Sequence, residues 1–316
     1  MFIDSKSKQW LISFLENRVK FDEPMSKHTS FRVGGPAKIF AAPGSFNELQ
    51  TLIKWAIEKK WPYMIIGAGT NLLVKDNGIQ AVVIDLTNCL TKITVKEKIN
   101  DDVFITAMAG ASLPSLCNFA IDNGLGGMNF GLGIPGTIGG AILMNAGTAH
   151  GDISDVLNTI TILDPCGNKK HLNTKDYNFS YRKLAWSNNL TKVSNNGPVI
   201  LDGCFKLHST DKNRLKQKAA AILLARKRKQ PTHLPSAGCF FKNPQSGKTA
   251  GELIEMAGLK GTVKGDARIS SKHGNFIINQ GNASAADIIE LVLLVQEYVS
   301  KMFNKVLIPE VIIVGE

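Results

Sequence analysis

Two glycine-rich stretches have the composition of loops that hold a bulky or phosphorylated cofactor. The longer one runs from Gly131 to Gly147 and holds six glycines in seventeen residues, with mostly apolar residues between them. This composition favours a buried segment over a flexible linker, which would be rich in serine. Because glycine has no Cβ, its main chain approaches a bound group closely. The stretch therefore predicts a cofactor lying against bare backbone, and the alternative is a packed corner of strand and turn without a ligand.

The shorter stretch is Gly67-Ala68-Gly69-Thr70-Asn71, which directly follows a short apolar run at residues 63–66. Successive backbone N–H groups in a glycine-rich turn between strands form a concave anion site. Thr70 and Asn71 add side-chain donors. The loop therefore predicts a phosphate site, with an ordinary tight turn as the alternative.

Two common nucleotide-binding motifs do not fit the chain. Leu72 stands where a dinucleotide fingerprint has its third glycine, and the residues after it are strand-like rather than helical. Gly247-Lys248-Thr249 matches the end of a P-loop, but Lys242 stands where that motif has its first glycine. We therefore exclude a Rossmann domain and a P-loop.

Three further stretches contain side chains with acid, base or anion-binding chemistry. They are Ser180-Tyr181-Arg182, the segment 237–244 with Cys239 and Lys242, and Pro309-Glu310 near the end of the chain. Taken singly, each has an ordinary explanation, because most arginines and glutamates lie at the surface and most free cysteines fill small spaces in a core.

Length, composition and cysteine content restrict the class of protein. A chain of 316 residues exceeds the usual size of a single core, so two or three domains are expected. With 44% apolar and 20% charged residues, the chain has a globular composition. We find no signal peptide at the N-terminus and no apolar run long enough to span a membrane. Five widely spaced cysteines without zinc-ligand spacing predict free thiols, no metal site and a cytoplasmic location.

The net charge of +11 leaves two interpretations open. Eight of the 37 basic residues lie between Lys212 and Lys229, and such a cluster binds nucleic acid in some proteins. The cluster has no interleaved aromatic residues, so we favour a solvated helix face. A positive field also suits an anionic small-molecule substrate.

The elements that would position these residues follow from hydrophobic periodicity and turn residues. The first part of the chain predicts helices at 5–19, 45–60 and 112–123, with strands at 37–42, 63–66, 81–85, 91–96, 103–108, 156–164, 169–173 and 199–208. A basic helix at 211–229 then leads to a separate α+β domain. In that domain the pattern predicts helices at 249–257 and 285–303 and strands near 239–242, 276–279 and 306–314.

All five candidate stretches, in this order and at this spacing, resemble the UDP-N-acetylenolpyruvoylglucosamine reductase family. These are flavoenzymes that make UDP-N-acetylmuramic acid for bacterial peptidoglycan. The resemblance covers residues 28–311, and the segments 131–147 and 237–244 are most specific to the family. No long aromatic-bearing insertion appears between Arg182 and Cys239, so the chain is similar to the shorter subtype.

The resemblance implies an α+β fold in which a two-lobed FAD-binding domain of the vanillyl-alcohol-oxidase (PCMH) type precedes a smaller α+β substrate-binding domain. The expected segments are an N-terminal helical segment at 1–27, the FAD-binding domain at 28–208 with lobes at about 28–95 and 96–208, and the substrate-binding domain at 209–316. The implied cofactor-binding residues are Ile66, Gly67, Ala68, Gly69, Thr70, Asn71, Leu72, Gly131, Gly133, Ile134, Pro135, Gly136, Thr137, Gly139, Gly140, Ala141, Asn145, Ala146 and Gly147. The loop 67–71 is expected to hold the FAD pyrophosphate.

The resemblance also implies the reaction and its catalytic residues. NADPH reduces the flavin, which passes hydride to the enolpyruvyl ether of the UDP-sugar. Arg182 and Glu310 bracket the enolpyruvyl group, and Cys239 supplies the proton. Glu310 either donates a hydrogen bond when protonated or orients Arg182 when ionised, and the sequence does not choose between these roles. The implied substrate-binding residues are Tyr181, Lys242, Asn243, Lys272 and His273, with Asn243 at the diphosphate.

Three positions depart from the family pattern. Most relatives have serine at the position of Cys239. A thiol has an ordinary pKa of about 8.5, so it stays largely neutral at pH 7 and remains a competent proton donor. Leu184 stands where a small hydroxyl residue is common, and Thr148 follows Gly147 where an aromatic residue is common. These two changes affect the expected details of flavin and substrate contact.

Two other functions are weighed against the reductase. An oxidase of small hydroxy compounds keeps the flavin fold, but the segment 237–244 and Pro309-Glu310 argue against it. A nucleic-acid binder using residues 212–229 would show salt-dependent binding of oligonucleotides. The expected partners are therefore the enolpyruvyl UDP-sugar and NADPH, without nucleic acid or membrane, and the expected state is a monomer.

Overall fold

The computed structural model describes residues 3–187 and 197–316, and these residues form a mixed α and β fold. The helices are α1 Ser5–Leu15, α2 Phe46–Glu58, α3 Leu113–Asp122, α4 Ile138–Leu143, α5 Lys212–Lys229, α6 Ala250–Met256 and α7 Ala285–Phe303. The first strands are β1 Val19–Pro24, β2 Pro36–Ala41, β3 Tyr63–Ile66, β4 Leu72–Val74, β5 Ile79–Asp85, β6 Ile93–Ile99, β7 Asp102–Met108, β8 Leu125–Gly126, β9 Gly147–Thr148 and β10 Gly151–Asp152. The remaining strands are β11 Leu157–Leu163, β12 Lys169–Leu172, β13 Tyr177–Ser180, β14 Lys183–Trp186, β15 Val199–Ser209, β16 Val263–Lys264, β17 Ala267–Ile269, β18 Ile277–Asn279 and β19 Ile312–Val314.

The chain divides into two compact units, each assembled from three segments. The first unit comprises Met1–Phe21, Ile39–Gly67 and Ala81–Leu223, and the second comprises Asp22–Lys38, Ala68–Gln80 and Leu224–Glu316. The sequence predicted consecutive domains instead. The difference arises because β4 pairs in parallel with β19, which places the segment after the 67–71 loop with the C-terminal residues. The functional boundary near residue 209 stays a prediction.

The first unit contains an antiparallel sheet with the strand order β12-β11-β15-β7-β6. Strand β7 alternates buried and half-buried residues, which is the pattern of a strand with one face on the core. Helix α4 packs on this sheet. Its Ile142 Cδ1 lies 2.8 Å from the position that a Cβ would take at Gly203 of β15. The sheet thus supports the middle of the 131–147 stretch.

A second sheet has the strand order β1-β2-β5-β3, with β3 parallel to β5. Ser45 caps the N-terminus of helix α2, where its hydroxyl accepts the Glu48 N–H. Its apolar face is buried at Leu49, Leu52 and Ile53. Strand β3 ends at Ile66 and leads directly into the 67–71 loop.

The second unit has its own core around helix α7, with Ile288, Leu291 and Val295 buried. The carboxylate of Asp76 accepts the N–H groups of Ala285 and Ala286. A capping box at Ser284 satisfies further N–H groups of this first turn. The helix therefore begins at the residue that the sequence predicted, because several acceptors meet its free N–H groups.

Most predicted helices and strands are confirmed within about two residues, and three regions differ. The predicted helix 5–19 ends at Leu15, because Glu16 adopts a φ of 55° that a helix cannot continue. The predicted strand 239–242 forms only isolated bridges, and the strand predicted at 306–314 is confined to β19. Helix α4 and the β13–β14 hairpin were not predicted, because glycine pairs and short polar runs carry little periodicity. Within the described ranges, no helix is both long and apolar enough to cross a membrane.

Candidate functional site

Arg182 lies in the two-residue turn that joins β13 to β14 in the first unit. Ser180 pairs with Lys183 across the turn, which leaves Tyr181 and Arg182 as the connecting residues. Arg182 has a φ of 55°, a left-handed conformation that favours glycine or asparagine. For another L-residue this conformation costs about 1–2 kcal/mol. A strained arginine at the tip of a turn is typical of a functional position, where the role of the side chain offsets the cost of the backbone conformation.

The guanidinium of Arg182 is held by main-chain carbonyls of the glycine-rich stretch. Nη1 donates to the Asn145 carbonyl at 3.3 Å, and Nη2 donates to the Gly147 carbonyl at 2.6 Å. The group also lies over the Tyr181 ring, 4.9 Å from its centroid. These contacts orient the guanidinium. The arrangement suits a cation that binds a carboxylate.

The 131–147 stretch is a capped turn of helix between two bends. Thr137 caps α4 by accepting the Gly140 N–H, while Gly133 and Gly136 have positive φ values of 74° and 124°. The stretch ends in the short β9–β10 pairing, where Gly147 lies opposite Asp152.

Contacts within the protein explain three of the six glycines in this stretch, a structural role that the sequence offered only as the alternative. A Cβ at Gly131 would lie 2.9 Å from Cys117 Sγ, and one at Gly139 would lie 3.1 Å from Ala109 Cβ. A Cβ at Gly147 would lie 2.4 Å from Asp152 Cβ. Tight internal packing therefore disfavours a side chain at these positions whether or not a cofactor binds.

Gly140 is different, because the protein leaves room for a side chain there. It is exposed, and among the described residues a Cβ at this position would meet only Thr137 Oγ1, at 3.6 Å. Glycine in the interior of a helix is unfavourable by about 1 kcal/mol relative to alanine. Open space beside an otherwise unfavourable glycine is what a closely approaching cofactor would require.

The 67–71 loop combines close packing with available donors. A Cβ at Gly69 would lie 2.1 Å from the His28 carbonyl oxygen, and Gly69 has a φ of 59°. Among the described residues, no acceptor receives the backbone N–H groups of Ala68 and Gly69. Two neighbouring N–H groups at a left-handed glycine fit the anion site that the sequence predicted.

In the second unit, Cys239 and Glu310 lie on neighbouring segments. Cys239 bridges Phe276, and the Glu310 N–H donates to the Phe240 carbonyl at 2.8 Å. The Asn71 amide donates to the Glu310 carbonyl at 3.1 Å, so the 67–71 loop joins the same cluster. The structure therefore brings together three predicted site residues that are distant in sequence.

Cys239 is half-buried and lies within electrostatic range of Arg226 on α5. Burial lowers the pKa of the Arg226 guanidinium, and the Cys239 sulfur opposes this shift. Arg226 was predicted only as part of the basic helix. In the structure Arg226 is half-buried, whereas the basic residues 227–229 that follow it on the helix are exposed.

Two residues that the sequence analysis missed hold these loops. Ser30 donates from its backbone to the Gly69 carbonyl at 3.1 Å and from its hydroxyl to the Ser236 carbonyl at 2.7 Å. Buried Asn275 binds both the N–H and the carbonyl of Phe241, each at 2.8 Å. Their signal in the sequence is weak, because single serine and asparagine residues are common in turns.

The predicted substrate-binding residues lie in the second unit, except for Tyr181. The Lys242 backbone donates to the Ile308 carbonyl, and the Asn243 side chain accepts the Ala250 N–H at 3.0 Å. The Lys272 ammonium donates to the Lys227 carbonyl at 2.7 Å, near the end of α5. Lys272 therefore has a structural contact as well as its predicted role.

His273 is half-buried, and its Nδ1 accepts the Asn275 N–H at 3.2 Å. Burial lowers the pKa of His273, and the charge of Lys260 lowers it further. An acceptor at Nδ1 requires the neutral ring with its proton on Nε2. His273 would therefore offer a substrate a neutral N–H donor.

The other predicted cofactor residues flank these contacts. Ile66 ends β3, Leu72 begins β4, and Ala141 is buried in α4. Ile134 and Ala146 are half-buried, and Pro135 is exposed. Within residues 3–187 and 197–316, no group of three or more His, Cys, Asp or Glu side chains could hold a metal ion.

Two protein-family models match the chain. A model described as "FAD binding domain" matches residues 37–173. A model described as "UDP-N-acetylenolpyruvoylglucosamine reductase, C-terminal domain" matches residues 230–314. The matched segments contain the glycine-rich stretches and the Cys239 and Glu310 segments, respectively.

Individual relatives match along nearly the whole chain. A UDP-N-acetylenolpyruvoylglucosamine reductase of Desulfosudis oleivorans is 42% identical over 315 residues, covering 99% of this chain and 100% of the relative. A protein of the same name from Clostridium tetani is 41% identical, covering 98% of this chain and 97% of the relative. The crystal structure of the Thermus caldophilus reductase superposes with a TM-score of 0.75 at 32% identity, covering 92% of this chain and 97% of that one.

Proposed function

The chain belongs to the UDP-N-acetylenolpyruvoylglucosamine reductase family, and we propose that it performs this reduction with NADPH as the hydride source. It is an FAD-dependent oxidoreductase of peptidoglycan synthesis with a two-domain FAD-binding fold. The observation that carries the residue-level proposal is the Arg182 guanidinium, which the carbonyls of Asn145 and Gly147 orient.

The described residues fit FAD at one place in each unit. Among the described residues, the N–H groups of Ala68 and Gly69 meet no acceptor and suit its diphosphate, and the space beside Gly140 suits close approach of a large group. We assign the diphosphate to the 67–71 loop and the rest of the dinucleotide to the 131–147 stretch. When bound, FAD carries hydride from NADPH to the terminal carbon of the enolpyruvyl ether.

Arg182 stabilises the charge that this addition creates. An enol ether is electron-rich and resists hydride addition. As the terminal carbon gains its new bond, the electron pair of the double bond moves to the adjacent carbon and spreads into the carboxylate. A pre-oriented guanidinium on that carboxylate lowers the energy of the transition state, most strongly where water is excluded. The carbonyl contacts of Arg182 supply this orientation in advance.

Cys239 supplies the proton that completes the reaction. Its S–H bond breaks as a C–H bond forms at the charged carbon, and the resulting thiolate regains a proton from water. A donor fixed on one face of the substrate sets the configuration of the new stereocentre. The bridge between Cys239 and Phe276 and the two Asn275 contacts to Phe241 hold the backbone around the thiol. Glu310 is assigned to the substrate carboxylate.

The remaining contacts are assigned to the sugar nucleotide. Lys242 and Asn243 lie three and four residues after Cys239 and are proposed to bind the diphosphate. His273 contributes a neutral N–H donor to the nucleotide, and Lys272 and Tyr181 complete the set. We also propose that the chain acts as a monomer in the cytoplasm, where its five free cysteines would remain reduced.

Spectroscopy of the purified protein tests this proposal. We expect a yellow protein whose flavin absorbance disappears when NADPH is added without oxygen and returns only when UDP-N-acetylglucosamine enolpyruvate follows. Mass spectrometry should then find UDP-N-acetylmuramate in equal amount to the flavin. A colourless protein, or flavin absorbance that returns with a simple hydroxy compound instead, would contradict the proposal.

A further inference from the structure

We propose that Asn145 is a positioning residue for Arg182, because its amide group and its main-chain carbonyl both bind the β13–β14 hairpin that carries the guanidinium. This inference rests on the role proposed above for Arg182. The resemblance assigned Asn145 to the cofactor instead.

The side chain of Asn145 is committed to the protein. It is 2% exposed, and its Nδ2 donates to Asp152 Oδ2 at 3.1 Å and to the Ser180 carbonyl at 3.3 Å. Its Oδ1 accepts the Ser154 N–H at 3.0 Å. An asparagine amide has two N–H donors, and both are used here. No side-chain donor of Asn145 therefore remains for an anionic cofactor.

The main chain of Asn145 makes the second contact with the hairpin. Its carbonyl accepts from Arg182 Nη1 at 3.3 Å. The residue has a φ of 42°, which asparagine tolerates better than most residues. Asn145 thus binds Ser180, at the end of β13, and Arg182, two residues later. Two contacts from one buried residue fix the turn and the guanidinium together.

Asp152 anchors Asn145 in this position. Asp152 Oδ1 accepts the N–H and the hydroxyl of Ser154, so its other oxygen is held facing Asn145. Asp152 also lies opposite Gly147 in the β9–β10 pairing. Because Gly147 provides the other carbonyl that binds Arg182, the same network fixes both acceptors of the guanidinium. The buried amide of Asn145 has both of its donors and its acceptor satisfied in this network, which restricts its orientation.

The substitution Asn145→Asp tests the inference, because it keeps the shape and the Ser154 contact but removes both donors. We expect normal FAD content and NADPH-driven loss of flavin absorbance within about twofold of wild type. Recovery of the absorbance on adding the enolpyruvyl sugar nucleotide should slow by at least tenfold. Calorimetric titration should show weaker binding of that substrate to the oxidised holoenzyme, by a similar factor. Protonation of the new carboxyl would restore one donor, so the defect should shrink as the pH falls from 8 to 5.5.

A double mutant separates positioning from a general structural role. If Asn145 acts through Arg182, Asn145→Asp should cause little further slowing in an Arg182→Lys background, because the two effects share one interaction. Additive slowing would overturn the inference. A normal substrate step in Arg182→Lys alone would instead contradict the proposed role of Arg182.

A second variant covers the case in which Asn145→Asp does not fold. The pair Asn145→Asp with Asp152→Asn reverses the donor and acceptor of the anchoring hydrogen bond and keeps the charge of the pair. The donor to the Ser180 carbonyl is still missing. We expect this protein to fold with FAD and to keep a slow substrate step. A wild-type substrate step in the folded double variant would overturn the inference.

Discussion

Arg182 Nη2 donates to the Gly147 carbonyl oxygen at 2.6 Å. The side chain proposed to bind the substrate is therefore hydrogen-bonded to the last glycine of the 131–147 stretch. That glycine lies opposite Asp152, and a Cβ there would lie 2.4 Å from Asp152 Cβ. The guanidinium is therefore oriented by backbone whose position is fixed by close packing. Such a support costs no reorganisation when charge develops on a bound substrate.

Replacing Arg182 by lysine should slow the substrate step without affecting the fold. Lysine keeps the charge but cannot present the planar fork that binds two acceptors and a carboxylate. Loss of an oriented donor at a developing charge costs about 10²–10³ in rate. Stopped-flow absorbance should show normal flavin bleaching by NADPH and a slow return on adding the sugar nucleotide.

Lys183→Ala is the matched control for this variant, because Lys183 is the next residue of the same hairpin and its side chain is exposed. It should behave as wild type in both steps. Equal slowing in the two variants would indicate damage to the hairpin rather than loss of the guanidinium.

Two glycine-to-alanine variants separate internal packing from approach of the cofactor. Gly140→Ala should leave the apoprotein as stable as wild type or more stable by up to about 1 kcal/mol, because alanine favours the helix. It should weaken FAD binding, measured by fluorescence titration of the apoprotein, and Gly140→Leu should weaken it further. The reason is the open space at this position, which only a bound group would fill.

Gly131→Ala, in the same stretch, should give the opposite result. Its Cβ would lie 2.9 Å from buried Cys117 Sγ, and overpacking of this kind costs about 1–3 kcal/mol. Urea unfolding of the apoprotein should show that loss. If Gly140→Leu bound FAD as tightly as wild type, the stretch would not lie against the cofactor there.

Thiol labelling should distinguish Cys239 from the three buried cysteines. Burial raises the pKa of Cys89 to about 11, that of Cys117 to about 12 and that of Cys204 above its ordinary value. Because the thiolate is the reactive form, these three should resist iodoacetamide at pH 7.5. Mass spectrometry of the native protein should find label on exposed Cys166 and half-buried Cys239.

The variant Cys166→Ser provides the control, since labelling of Cys239 alone should then inactivate the enzyme. The enolpyruvyl sugar nucleotide should protect Cys239. Full activity after complete labelling of Cys239 would contradict its role as the proton donor.

The sequence predicted the elements whose determinants are local. Helices α2 and α7 follow from apolar periodicity, and the structure confirms both. The second unit is assembled from separate segments of the chain, which depends on the pairing of β4 with β19. These strands are about 240 residues apart, and no local sequence pattern predicts that they pair.

The same limit applies to the candidate site. Family resemblance, through the order and spacing of the motifs, predicted Arg182, Cys239 and Glu310 as site residues, and these assignments stay predictions. It could not reveal that the Asn145 amide binds Ser180 and Asp152, because side-chain contacts across turns depend on the folded backbone. Internal packing also explains glycines such as Gly131, which the sequence attributed to a cofactor.

Acidification should destabilise the protein through His273. Its pKa is lowered in the folded state by burial and by Lys260, whereas the unfolded chain has the ordinary value of about 6.5. The unfolded state therefore binds the proton more readily, and the contribution of His273 to stability is full above about pH 6.5 and is lost as the pH falls toward the folded pKa. Urea unfolding at pH 7.5 and 5.5 should show this loss, and it should be smaller in His273→Gln.

The most direct test is a single turnover of the Cys239→Ala variant. NADPH added without oxygen should bleach its flavin at the wild-type rate, and the enolpyruvyl sugar nucleotide should then fail to restore the yellow absorbance or yield UDP-N-acetylmuramate. Cys239→Ser should restore both, because a hydroxyl also donates a proton. Normal product formation by the alanine variant would show that the proton comes from another group.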